Sequence, residues 1–219
     1  MRRLLYWGLL LALAVVSAGC NAFIPADTSL ISGTPCAPPC WQNLTPGVST
    51  MADVERFVGG LRASEQERLE TGTDPAGYKL FTWFGAKNGK TRLISVDEDR
   101  VKLILIAPDF DLNLGTVVDH FGPPESLFAI HGGYGHGGTY RLELYYPQQG
   151  LAFESRPGIE YLGEVRPDMS VYTIYYFASG DLANYFDGQG WTDDYVDAIM
   201  RYVQPWPGFG QIEVPMERP

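Results

Sequence analysis

"YKLFTWFGAKNGKTRLISV", residues 78–96, decides the fold. Apolar and polar residues alternate along it with period two, the spacing of a half-buried strand. Asn88-Gly89 interrupts the alternation near its middle, and Asn-Gly is a strong signal for a tight hairpin turn. Two antiparallel strands are therefore expected. "DEDR" (97–100) predicts a second turn and "VKLILIAP" (101–108) a third strand that stops at Pro108, so the stretch reads as a meander.

On the N-terminal side the period changes. In "STMADVERFVGGL" (49–61), Met51, Val54, Val58 and Leu61 recur at steps of three and four. That is helical spacing, with Ser49 or Thr50 as the cap and Gly59-Gly60 as the stop. The charged "RASEQERLETGTDPAGY" (62–78) reads as surface helix and loop.

On the C-terminal side the pattern restarts. "DLNLGTVVDHFGPPES" (111–126) predicts a second short helix, capped by Asn113 and stopped by Gly122-Pro123-Pro124. At an offset of 63 residues Val117 overlays Val54, Phe121 overlays Val58 and Gly122 overlays Gly59. Strands follow again in "SLFAIHG", "TYRLELYYP", "GLAFESR" and "VYTIYYFAS". "YRLELYY" places Arg141, Glu143 and Tyr145 on one face and Tyr140, Leu142, Leu144 and Tyr146 on the other. In "WTDDYVDAIMRYVQPWPGFG", Thr192 can cap a last helix, with Asp193 and Asp194 at its positive end, before an aromatic turn at Trp206–Phe209. The expected class is α+β, with two similar units of short helices packed on antiparallel sheet and a C-terminal helix.

The N-terminus speaks to location. "MRRLLYWGLLLALAVVSAGC" (1–20) has two arginines, an apolar run and small residues, the layout of a secretory signal. The run is shorter than the roughly 20 residues of a membrane-spanning helix. "Ser17-Ala18-Gly19-Cys20" resembles a bacterial lipobox, although serine stands where leucine is usual. The resemblance implies lipidation of Cys20, a mature chain beginning there, and residence in the cell envelope. The anchor would hold it to the outside of the cytoplasmic membrane or in the outer membrane. The alternative is a plain secretory signal cut after Val16-Ser17-Ala18.

Two further cysteines stand in "TPCAPPCWQNLTPGVSTMADV" (34–54). In an oxidising compartment Cys36 and Cys40, four apart around Pro38-Pro39, read first as a local disulfide clip. A redox pair would more often be C-x-x-C, and a metal site would need further ligands nearby. The chain carries a net charge of −10, and −12 once Arg2 and Arg3 are removed with the signal. That argues against nucleic acid and against anionic lipid as direct ligands.

Two further resemblances bear on the body. "LGTVVDHFGPP", and more loosely "PGVSTMADVERFVGG", resemble the helix-plus-sheet repeats of the SmpA/OmlA lipoprotein superfamily and of the β-lactamase-inhibitor-protein fold. "PCWQNLTPGVST" resembles a Pro-Cys-Trp opening that recurs in bacterial lipoproteins and brings no activity with it. Together they imply an extracytoplasmic protein that interacts rather than catalyses. The expected organisation is a signal peptide (1–19), a lipidated tether with its disulfide clip (20–40), a first unit (41–110), a second unit (111–180), and a C-terminal helix with an aromatic tail (181–219).

Motifs for chemistry are sparse. "HGGYGHGG" (131–138) offers His131 and His136 around Tyr134. Two histidines in a loop can contribute to a zinc or copper site, and glycine equally serves a hairpin tip. The sequence shows no G-x-S-x-G elbow, H-E-x-x-H, P-loop or dinucleotide fingerprint, and implies no cofactor. Asp97, Glu98 and Asp99 read as a solvated turn. Aromatic rings invite a binding role, at Trp41, Tyr134 and Trp206 among the candidate ligand-binding residues, with His131 and His136. The leading expectation is a non-catalytic module for an envelope protein. A carbohydrate or small-ligand binder using exposed aromatics stands second, and a metal-dependent hydrolase using His131 and His136 third.

Overall fold

In a computed structural model, residues 27–85, 89–131 and 140–214 are described. The fold is α+β. Among the described residues six short helices surround a nine-stranded sheet, antiparallel throughout, in the order β1 (Glu70–Thr73), β2 (Lys79–Phe84), β3 (Thr91–Asp97), β4 (Arg100–Ile106), β9 (Val171–Phe177), β7 (Leu151–Ser155), β6 (Tyr140–Tyr146), β5 (Ser126–His131) and β10 (Val203–Pro205).

The first meander is β2 (Lys79–Phe84), β3 (Thr91–Asp97) and β4 (Arg100–Ile106). Gly89 sits in the first turn at φ +65°, while Asn88 lies outside the described residues. In the second turn Glu98 and Asp99 both have positive φ, the two-residue geometry that follows the twist of the flanking strands. β1 (Glu70–Thr73) pairs with β2 as a short polar edge, so part of the segment read as helix and loop is strand. All four of its residues are exposed, which leaves no apolar alternation to reveal it. Only α3 (Ala63–Gln66) of that segment is helical.

The second group is β5 (Ser126–His131), β6 (Tyr140–Tyr146), β7 (Leu151–Ser155) and β9 (Val171–Phe177). β4 pairs with β9 over Leu103–Ile106 and Ile174–Phe177, so the two groups form one continuous sheet. Each group is preceded by a helix, α2 (Met51–Gly59) and α4 (Leu114–Phe121). Thr50 and Asp53 make a reciprocal capping box at α2, and Asn113 caps α4 through the Thr116 N–H. Val54 and Val117 are both fully buried. The glycine exits differ: Gly122 adopts φ +82°, open only to glycine, whereas Gly60 ends α2 with helical geometry.

Each face of the sheet has its own core. One carries Trp41, Val54, Trp83, Ile94, Val117 and Phe153 beneath α2 and α4. The other carries Leu103, Tyr145, Tyr175 and Phe177 beneath α5 (Ala183–Gly188) and α6 (Asp193–Met200). β10 (Val203–Pro205) extends the β5 edge, and β8 (Glu164–Val165) pairs with β11 (Gly210–Gln211) apart from the main sheet.

Within the stretch expected as a tether, residues 20–40, the chain makes contacts to the body from Asp27 onward. Asp27 accepts the indole N–H of Trp41 at 2.8 Å, and its own N–H donates to Asp109 at 2.8 Å. Leu30, in α1 (Ser29–Ser32), is buried in the first core. A carboxylate bonded at both ends of its residue, beside a buried leucine, ties this stretch to the body. Residues 1–26 lie outside the described residues.

Candidate functional site

Two glutamates stand in the middle of the sheet with no exposure at all, Glu143 on β6 and Glu154 on β7. They are register partners on neighbouring strands. Directly opposed like charges destabilise a sheet unless something neutralises them. Here each has its own arginine. Arg141 reaches Glu143 from two residues away, with Nε donating at 2.7 Å, and Arg156 pairs with Glu154.

Three tyrosine hydroxyls complete the coordination. Tyr145 and Tyr185 donate to Glu143 at 2.5 and 3.1 Å, and Tyr175 donates to Glu154 at 2.5 Å. Burial pushes all three phenols well above their usual range, and the nearby carboxylate charge adds to the shift. For Arg141 burial alone favours the neutral form, but Glu143 more than offsets it and holds the guanidinium above its ordinary value. Tyr185 comes from α5, so the cluster also fastens the C-terminal helices to the sheet. At its margins Arg141 lies over Trp191, 5.7 Å from the ring centre, and Arg156 over Tyr172 at 4.0 Å. Tyr172 is exposed.

Beside Arg156 opens a cleft of about 250 Å³, lined in part by Ser155, Tyr161, Arg166, Asp168 and Ser170. Arg166 and Asp168 form a two-pronged pair at 2.9 and 2.8 Å, and Arg166 lies 5.2 Å over the Tyr161 ring. Pairing with Asp168 holds the Arg166 guanidinium above its ordinary value and the Asp168 carboxyl below its own.

The candidate residues read from the sequence are scattered. Cys36 and Cys40 are bonded to each other. Trp41 is a core residue, 2% exposed, packed against Phe57 and Trp83, so it presents no surface to a ligand. Trp206 is half-buried against the first core, with Phe209 edge-on at 5.3 Å. His131 ends β5; its side chain, and all of Tyr134, His136 and Cys20, lie outside the described residues. Among the described residues no group of three or more histidine, cysteine or acidic side chains is placed to hold a metal ion.

Sequence reasoning placed Arg141, Glu143 and Tyr145 on one strand face but missed Glu154 and Tyr185. A signal for Glu154 existed. Residues 147–150 form the whole connection between β6 and β7, with Tyr146 opposite Leu151. Counting back from that turn sets Glu143 against Glu154. Tyr185 has no such local signal.

No protein-family model matches the chain, and neither the curated proteins nor the solved structures give a match.

Proposed function

We propose that this chain is a lipid-anchored extracytoplasmic module that binds an envelope protein and does no chemistry of its own. The observation that carries the reading is the closure of the acidic cluster. Among the described residues Glu143 and Glu154 are the one opposed pair of carboxylates in the sheet, the arrangement an acid–base mechanism would want. Both are fully buried and bonded to arginine and tyrosine. A carboxylate so enclosed holds a structure together.

The surface offers shape and apolar area instead. Leu80, Phe84 and Leu93, on β2 and β3, are half-buried and belong to neither core. They share the sheet face that α5 covers further along, at β4 and β9. An apolar strip at the edge of a covered face suits a protein partner. The Cys36–Cys40 bond fits an oxidising compartment. The lipobox-like Ser17–Cys20 and the likeness of 114–124 to envelope-lipoprotein repeats point the same way.

The anchoring has a geometric consequence. Six residues separate Cys20 from Asp27, which is bonded to the body. At about 3.5 Å per residue the span is at most roughly 25 Å. The module would stay close to the bilayer and meet partners that share its surface.

Intact-mass measurement of the mature protein tests the anchor. It should begin at an acylated Cys20; an unlipidated chain beginning after Ala18 sinks that half of the reading. Crosslinking in native membranes tests the partner. A specific crosslink should form with the wild type and disappear in Leu93→Lys, with the melting temperature preserved. Equal crosslinking by both proteins removes this face from the proposal.

A further inference from the structure

The cleft beside Arg156 has a chemistry the protein-partner reading does not use. We infer that it is a subsite for a neutral saccharide, and it stands apart from the apolar strip on β2 and β3.

Its charge is internally balanced. Arg156 gives Nε to Glu154, and Arg166 gives Nε and Nη2 to Asp168. Each arginine that lines the cleft thus has its own carboxylate, and Glu164 adds negative potential near Arg166. The chain as a whole is acidic. An anionic ligand would have to compete with carboxylates already in place, within a repulsive field. A cationic ligand would meet the arginines.

A polyhydroxylated neutral ligand meets neither obstacle. The guanidinium N–H groups left over have no partner among the described residues and can donate to ring hydroxyls. The lone pairs left on Asp168 can accept from them. Planar pairs of this kind present donors and acceptors side by side at fixed spacing. Stacking on Tyr161 and Tyr172 holds both guanidinium planes in place, so little side-chain entropy is lost on binding. Of the two rings, Tyr161 lines the cleft and supplies an apolar face for the C–H side of a sugar. The volume, about 250 Å³, lies just under the range of drug-sized pockets and suits a small ligand such as one sugar ring.

The test is saturation-transfer NMR on the full-length protein in a detergent without a sugar headgroup. Chitotriose, cellotriose and maltotriose are the neutral probes, and sulfate and citrate serve as anionic competitors. At least one trisaccharide should bind with a Kd of about 1 mM or tighter. Tyr161→Ala and Arg166→Gln should each weaken it at least about tenfold, while circular dichroism melting stays as in the wild type. Raising salt from about 0.05 to 0.5 M should leave binding unchanged, because no net charge is exchanged. Three outcomes overturn the inference: no transfer to any of the trisaccharides, binding indifferent to both substitutions, or displacement by sulfate or citrate that salt abolishes. A missing protein crosslink would leave this site standing, and a missing sugar signal would leave the partner strip standing.

Discussion

The two faces of the sheet each bury a trio of aromatic rings, built on opposite plans. Beneath α2, Trp41, Phe57 and Trp83 pack with centroids 5.3 to 6.2 Å apart. Beneath α5, Tyr145 and Tyr175 pack on Tyr185 at 5.4 and 5.3 Å. In the first trio the polar atoms do not bond to one another's partners: the Trp83 indole N–H is buried without a partner among the described residues, and the Trp41 N–H fastens Asp27. In the second trio every hydroxyl is bonded to a glutamate. The first face is stabilised by area removed from water, which tolerates approximate fit. The second depends on a closed set of partners, each useless without the others. The faces should therefore fail differently.

The largest effect is expected at Glu143. Glu143→Ala takes the carboxylate from the half-buried Arg141 and leaves the Tyr145 and Tyr185 hydroxyls without their acceptor. Breaking a buried pair from one side costs about 3–5 kcal/mol. Replacing both partners with apolar residues should recover much of that, because the cost lies in the orphaned charge. Urea unfolding of Glu143→Ala and of the double variant Arg141→Met/Glu143→Leu measures the difference. Equal losses would mean that the pair is not what holds this face.

Alkaline pH separates the faces without mutation. The phenols of Tyr145, Tyr175 and Tyr185 titrate well above their ordinary value of 10 in the folded state. A raised folded value stabilises below the unfolded pKa and loses that stabilisation as pH rises past it. Between pH 10 and the folded values the unfolded chain binds fewer protons, so stability falls by up to about 1.4 kcal/mol per pH unit for each tyrosine. Thermal melting above pH 10 should show this decline, with the tyrosinate absorbance of these three appearing only on unfolding. Their ionisation in the folded state near pH 10 would contradict the closed cluster.

The two plans also explain what could be read in advance. Val54, Val58 and Val117 announce their helices because apolar area repeats with the period of the backbone. The turn at Glu98-Asp99 was legible because its chemistry is local. The second face was not. A glutamate in a strand looks like a solvent-facing residue until strand register and the covering helix are known, and α5 comes later in the chain than all four strands β5, β6, β7 and β9. Paired charge leaves no periodic trace. The latch at Asp27 has no local signature either, because a Ser- and Pro-rich stretch reads as a linker and the indole that its carboxylate accepts from is 14 residues away.

That latch gives a smaller test on the first face. Trp41→Phe keeps the ring in the core and removes the N–H that Asp27 accepts. A hydrogen bond to a charged group contributes about 1.5–3 kcal/mol. The urea midpoint should fall accordingly, and limited proteolysis should begin within residues 27–35. Protection unchanged from the wild type would show that burial of Leu30 holds the segment unaided.

The smallest effect is expected at the capping box of α2, and its sign tests whether charge on the first face is merely peripheral. Asp53 is held down at about 2 from an ordinary 3.8. The Thr50 backbone N–H contributes most, then the Thr50 hydroxyl, then Arg56. A depressed folded value means stabilisation that is complete above about pH 4 and lost as pH falls toward 2. The site is exposed and screened by solvent, so the contribution is modest. Asp53→Asn should melt below the wild type at pH 6, and the gap should narrow toward pH 2, where the wild-type carboxyl is half protonated, and close below it. A gap that persists unchanged below pH 2 would assign the loss to side-chain geometry. Convergence would show that even on the apolar face the helix entry is set by one ionised carboxylate, placed at the rim where water can share its charge.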